Sequence, residues 1–138
     1  MDVTVEPATS EDRLDVLRVL DAAMLETDAD TVDDRIAARD ALLARSTRTG
    51  GVAGALVAVR PDADRLHVDA VAVRRARRGR GIGSTLVAAA VDRGESDPAV
   101  GVVTARFDAA LAEFYEALGF TVDADGAGGG RRTGRRPV

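Results

Sequence analysis

The sequence predicts a mixed α/β (α+β) fold, with a central, mostly antiparallel mixed sheet and helices on both faces. Three observations carry this expectation. Strand-like and helix-like segments follow one another in the order β-α-α-β-β-α-β-α-β. Two Val/Ala-rich runs, Val52–Arg60 and Leu66–Val73, are joined by the short Pro61–Asp64 connection, which predicts an antiparallel pair. A strand, a glycine-rich turn and a helix occur together in the middle of the chain. The length of 138 residues suits a single domain with one sizeable core, spanning 1–138.

Each element has a local reason. Val3-Thr4-Val5 reads as a short strand ended by Pro7. Thr9 begins a capping box with Asp12, and Leu14, Leu17, Leu20 and Met24 recur at helical spacing, predicting a helix over about 10–26. Asp28-Ala29-Asp30 breaks it. Thr31 repeats the capping pattern, and Val32, Ile36 and Leu43 predict a second helix reaching about Ser46. Gly50-Gly51 marks a turn before the strand pair. The basic loop Arg74–Gly83 leads into a helix over about 83–93. Pro98 opens a strand over Ala99–Arg106. Asp108 is placed to N-cap a last helix, with Leu111, Phe114 and Leu118 on one face and Gly119 as C-cap. Phe120–Asp123 reads as a strand and Gly126–Gly130 as a flexible link. Arg131–Val138, within the Gly/Arg-rich end at 124–138, reads as either a final strand or a frayed tail.

Composition excludes several chemistries. All 19 basic residues are Arg, and the chain has no Lys, Asn, Gln, Trp or Cys. Disulfides, thiolate nucleophiles, zinc-thiolate sites and Schiff bases are therefore excluded. The single His67 rules out a multi-His metal site, so no metal is expected. No apolar run approaches a membrane span, and the N-terminus lacks the pattern of a signal peptide, which predicts a cytoplasmic protein without membrane contact.

The charge is unevenly distributed. Residues 1–70 carry a net −7 and residues 84–130 a net −6, while 71–83 carry +5 and 131–138 carry +4. A basic island in an acidic body suggests a local anion site, whereas an acidic body opposes nucleic-acid contact through the Arg-rich end. Aspartate outnumbers glutamate 17 to 6. A Lys-free, acid-rich surface of this kind resembles that of proteins adapted to molar salt, which predicts a halophilic protein.

The basic island is Val71-Ala72-Val73-Arg74-Arg75-Ala76-Arg77-Arg78-Gly79-Arg80-Gly81-Ile82-Gly83-Ser84. A strand enters a glycine-rich turn that opens a helix, so free N–H groups and the positive end of the helix dipole converge. That arrangement suits a phosphate or pyrophosphate. It is not a Walker loop, which requires Lys, and Ser84 stands where the dinucleotide fingerprint requires its third glycine.

Arg78-Gly79-Arg80-Gly81-Ile82-Gly83 resembles the [Q/R]-x-x-G-x-[G/A] motif of the GNAT superfamily of acyl-CoA N-acyltransferases, preceded by a matching strand, Val71–Val73. About thirty residues later, Phe114-Tyr115-Glu116-Ala117-Leu118-Gly119-Phe120 resembles the family's F-Y-x-x-x-G-F segment. The element order over 2–123 is also similar to the family's.

The resemblance implies a GNAT-like acyl-CoA N-acyltransferase fold. It implies acetyl-CoA as co-substrate and direct attack by a small-molecule, peptide or protein amine in a ternary complex. The alternative is a non-catalytic acyl-CoA-binding or regulatory module, and the protein would be a monomer or homodimer. Backbone amides from Arg78 or Gly79 through Arg80, Gly81, Ile82, Gly83 and Ser84 would hold the pyrophosphate. Arg74, Arg75 and Arg77 would divide between the 3′-phosphate and plain solvation. Val71, Ala72 and Val73 would offer backbone groups to the pantetheine arm, with an amide near Val71 or Val73 meeting negative charge on the thioester oxygen. Tyr115 would protonate the departing thiolate, though it also suits a core position beside Phe114. Asp108 replaces an Asn common in the family, keeping capping capacity but losing a donor. His67, Asp69 or a water they hold would be the general base, and simple alternation puts both residues on one strand face with Val71 and Val73. In the family the first two helices frame the acceptor. Here they carry Glu26, Asp28, Asp30, Asp33 and Asp34, which suggests a cationic acceptor.

Overall fold

Among the described residues, seven strands form one sheet in the order β1-β2-β3-β4-β5-β7-β6. They are β1 (Val3–Pro7), β2 (Ala41–Ser46), β3 (Val52–Asp62), β4 (Arg65–Val73), β5 (Val102–Asp108), β6 (Thr121–Val122) and β7 (Arg131–Pro137). The helices are α1 (Arg13–Ala22), α2 (Ala29–Ala37), α3 (Ile82–Ser96) and α4 (Ala112–Ala117). The computed structural model describes residues 2–23, 28–123 and 130–138. Met24, Glu26 and residues 126–129 of the glycine link lie outside them.

The mixed fold is as expected, and β3 and β4 are antiparallel. Every neighbouring pair is antiparallel except β4 and β5, which α3 connects as a crossover. The helices lie on both faces. α1 and α2 cover one face over Val16, Val19, Leu20, Val32 and Ile36, while α3 covers the other over Ile82, Leu86, Val87 and Val91. Gly54 allows this close approach of α3, since a Cβ there would stand 3.0 Å from the Ala72 carbonyl and 3.2 Å from Leu86.

Several expected boundaries shift. The first helix begins with a 3-10 turn at Ser10–Asp12, whose Thr9 N–H donates to the Asp12 carboxylate at 2.9 Å. Its buried face is Val16, Val19 and Leu20, whereas Leu14 is exposed. The second helix does not reach Ser46. It begins at Ala29 and ends at Ala37, and Leu43 belongs to β2. Ala41–Ala44 is buried on both faces of a central strand, a setting in which an apolar run has no period to distinguish strand from helix. The helix stops in a Schellman motif: the Asp40 N–H donates to Arg35 O and the Arg39 N–H to Ile36 O, with Arg39 at φ 63° where glycine is usual. β5 starts later than expected because Asp97 holds a turn through the amides of Ala99 and Val100. In the last helix, Leu111 is exposed and Tyr115 is the buried residue. Arg131–Pro137 is a strand, paired with both β5 and β6.

One irregularity changes the phase of β4. Val57 pairs with Ala70 and the next residue, Ala58, pairs with Val68, leaving Asp69 as a β-bulge. Before the bulge, Leu66 and Val68 face the α3 side; after it, Ala70 and Ala72 face the α1/α2 side, and Val71 and Val73 pack on the α3 side. His67 therefore does not share a face with Val71 and Val73, contrary to simple alternation.

The Asp40 carboxylate is 0% exposed and ties the turn between α2 and β2 to three elements. Arg60 donates to it at 2.8 Å from β3 and Arg93 at 2.6 Å from α3, while Arg35 of α2 lies at 3.6 Å. Burial alone would raise its pKa, but the hydrogen bonds from Arg60 and Arg93 outweigh that and hold it below the ordinary carboxylate value. Replacing it leaves three guanidiniums around an uncharged centre. Asp40→Asn is expected to lower the unfolding free energy by about 3 kcal/mol, the low end of the range for broken buried pairs because the arginines remain partly exposed. Urea denaturation midpoints measure this, and an unchanged midpoint would show the cluster to be energetically neutral.

Candidate functional site

The basic loop forms as a 3-10 turn at Arg75–Arg77 followed by the start of α3. Gly79 has φ 77° and Gly81 φ 79°, left-handed conformations that disfavour other residues. Gly81 is also the N-cap, so no side chain closes the helix, and the first turn contains no acid. The N–H groups of Ile82, Gly83 and Ser84 have no partner within the helix. Arg74, Arg75, Arg78 and Arg80 are exposed around them. Arg77 instead pairs with Asp2 at 3.2 Å, and Arg78 Nε donates to Val73 O at 3.1 Å. A Cβ at Gly79 would meet nothing within 4 Å, so space for a phosphate is open beside the loop. These residues fit a pyrophosphate group.

A cleft of about 380 Å³ opens next to this loop. Its origin is in the register. β4 and β5 pair only as far as Val68 and Ala105, directly before the Asp69 bulge. Beyond that point the strands part, and the β5-facing edge of β4 has no ladder partner among the described residues. Asp69 and Val71 line one wall and Arg106, Phe107 and Asp108 the other. Val68, Ala70, Leu111, Phe114, Tyr115 and Arg131 complete the lining.

Tyr115 is placed by aromatic packing. Its ring stacks on Phe107 with centroids 4.0 Å apart, and meets Phe114 and Phe120 edge-on at 5.0 and 5.4 Å. All three phenylalanines of the chain thus surround its one tyrosine. Burial pushes the phenol up to about 12, so it stays protonated across the physiological range. Asp108 accepts from the Ala110 N–H at 2.9 Å and caps the turn leading into α4.

The structure brings Asp69, Val71, Asp108 and Tyr115 to one cleft, with Gly83 packed against Phe114 and Val73 beside it. Ala72 faces the opposite core. His67 is not among the cleft-lining residues. It lies on the paired side of the bulge, opposite Thr104, and its Nδ1 is 2.8 Å from Thr104 Oγ1. Burial lowers its pKa, opposed by nearby Asp69 and reinforced by Arg65. Sequence reasoning missed Arg106 and Arg131. Arg106 sits in a strand with no motif, and Arg131 reads as part of a solvated end. Only the pairing of Asp108 with Arg131 across β5 and β7 brings both to the cleft. Among the described residues, no group of three His, Cys, Asp or Glu is placed to hold a metal ion, and no helix is long and apolar enough to cross a membrane.

A family model for the acetyltransferase (GNAT) domain matches residues 36–122. Among solved structures, Ard1 from Thermoplasma volcanium is similar at TM-score 0.80 and 18% identity, covering 100% of this chain and 99% of that one. A chain of the NatC complex bound to Gag peptide and CoA is similar at TM-score 0.82 and 19% identity, covering 100% and 99%. Agmatine N-acetyltransferase is similar at TM-score 0.81 and 14% identity, covering 100% of both chains. No curated protein sequence matches the chain significantly.

His67 makes stability depend on pH in a defined direction. Its folded pKa lies below the unfolded value of 6.5, so the unfolded chain takes up the proton first. Its contribution is complete above 6.5 and is lost as pH falls through the folded value. Because it is the only histidine, denaturant midpoints from about pH 7.5 to 5 should decline in the wild type and remain nearly level in His67→Gln. Equal slopes in both proteins would refute this assignment.

Proposed function

The chain belongs to the GNAT acetyltransferase family, and from that premise we propose that it is a single-domain N-acetyltransferase. It would transfer an acetyl group from acetyl-CoA to a primary amine by direct attack. The observation that carries this reading is the parting of β4 and β5 beside an uncapped, glycine-started helix, with a protonated phenol lining the cleft.

Acetyl-CoA, when bound, supplies an acetyl carbon activated as a thioester. The amides of Gly79 through Ser84 and the start of α3 would hold its pyrophosphate, with Arg74, Arg75, Arg78 and Arg80 adding charge. The free edge of Val71–Val73 would pair with the amide groups of its extended arm, and an amide there would meet negative charge on the carbonyl oxygen. Asp108 would contact that arm as an acceptor only.

The incoming amine must be neutral to attack. Asp69, exposed on the bulge, would take the ammonium proton directly or through water. His67 would serve only through such a relay, being held against Thr104. The nitrogen lone pair forms the C–N bond, and the C–S bond breaks with its electron pair on sulfur. Asp69, having passed the ammonium proton to solvent, takes the second N–H proton lost as the amide forms, and sulfur takes the phenolic proton of Tyr115, which solvent restores. Burial raises the phenol and so keeps it protonated and available as the donor. With neither Cys nor Lys in the chain, no acyl-enzyme is invoked.

The acidic shell fits work in the cytoplasm at high salt, and activity should then rise with KCl into the molar range. Titration calorimetry at high salt should show acetyl-CoA binding, and its absence would overturn the acetyltransferase reading. Tyr115→Phe should reduce kcat by about a hundredfold while leaving acetyl-CoA affinity unchanged. A variant with undiminished turnover would remove Tyr115 from the proton transfer. Acetyl-CoA binding without turnover on any amine would favour a non-catalytic acyl-CoA module.

A further inference from the structure

The cleft has one cationic wall. Across β5 and β7, Asp108 pairs with Arg131 and Arg106 with Thr133, so these four side chains project from the same face of the sheet. Arg106 and Arg131 are diagonal neighbours on that face, close enough for both guanidiniums to reach one small ligand. Among the described residues, α1 and α2 pack over β2, β3 and β4 rather than over β5 and β7. Arg106, Arg131 and Asp108 are all exposed there.

Eight of the chain's 19 arginines pair with a carboxylate among the described residues. Arg13, Arg45, Arg60, Arg77 and Arg93 each pair with a carboxylate. Arg106 and Arg131 form no ion pair among the described residues, although both line the cleft. The nearest carboxylate by register, Asp108, is engaged in capping Ala110. In a chain with more acids than bases, two unpaired guanidiniums facing one cavity are a place for an anion supplied from outside. Asp69 stands on the opposite wall, across the gap between β4 and β5.

We infer that the acceptor is an amine that also carries a carboxylate, with Arg106 and Arg131 binding the carboxylate and Asp69 receiving the ammonium end. The inference rests on the acetyltransferase reading and assigns its substrate class. It replaces the cationic acceptor suggested by the acids of α1 and α2, one of which, Asp33, is already paired with Arg13. Planar guanidiniums suit this role because each can grip a carboxylate through two parallel N–H donors.

The test compares L-amino acids with the amines left by removing their carboxylate, using the full chain, acetyl-CoA and molar KCl. The carboxylated member of each pair should have the higher kcat/KM, by about tenfold or more. Arg131→Gln and Arg106→Gln should each raise KM for the carboxylated amines by about tenfold, leave kcat nearly unchanged, and leave the decarboxylated amines unaffected. Arg135→Gln, on the same strand but outside the cleft lining, should change neither. As a readout independent of turnover, calorimetry should show the preferred amino acid binding to the wild type and binding at least tenfold more weakly to Arg131→Gln. Equal or better turnover of the decarboxylated amines overturns the inference, as does an equal loss on both panels in the Arg variants. Turnover with neither panel while acetyl-CoA still binds overturns it as well. Failure to bind acetyl-CoA is the distinct result that overturns the acetyltransferase reading beneath it.

Discussion

The bulge at Asp69 is the constraint from which the candidate site follows. One residue without a partner in β3 reverses which side chains of β4 face which core. Leu66 and Val68 pack under α3 where β4 is still paired with β5, and the small Ala70 and Ala72 pack under α1 and α2 where it is not. A bulge increases local twist and bends its strand. Here that bend coincides with the end of the single parallel ladder, at Val68 and Ala105. The open cleft and the unpaired edge beside the glycine loop both result from it.

Two assemblies stabilise this opening. The four aromatic residues form one cluster on its α4 side, with Phe107 stacked on Tyr115. In a chain that is only 3% aromatic, all of that packing is concentrated at the cleft. At the other end of α3, Arg93 reaches Asp40 and the Ala38 carbonyl, linking the helix to the turn between α2 and β2. The N-terminus of α3 thus has no side-chain cap while its C-terminal half is held by a buried carboxylate. Rigid support at one end and open donors at the other suit a site that must position a charged group without closing over it.

Arginine has two roles in this molecule. Paired arginines hold elements together: Arg45 joins Glu6 of β1 to Asp12 of the first turn, and Arg60 bridges Asp40 and Asp97. Among the described residues, arginines without a carboxylate partner include Arg74, Arg75, Arg78 and Arg80 of the loop and Arg106 and Arg131 of the β5–β7 face, and also Arg18, Arg39 and Arg48 on α1, after α2 and after β2.

The sequence by itself determined the mixed fold, the β3–β4 hairpin and the glycine loop that opens α3; Tyr115 as a proton donor is what the family resemblance implies. These features are local: turn chemistry, helix starts and motif spacing need only neighbouring residues. The tertiary structure decided that Ala41–Ser46 is a strand, because a run buried on both faces has no period of its own. It separated His67 from Val71 and Val73, because a bulge depends on the partner strand and leaves no mark in strict alternation. It also brought Arg106 and Arg131 to one wall of the cleft, since register across β5 and β7 is a long-range property that no window of sequence contains.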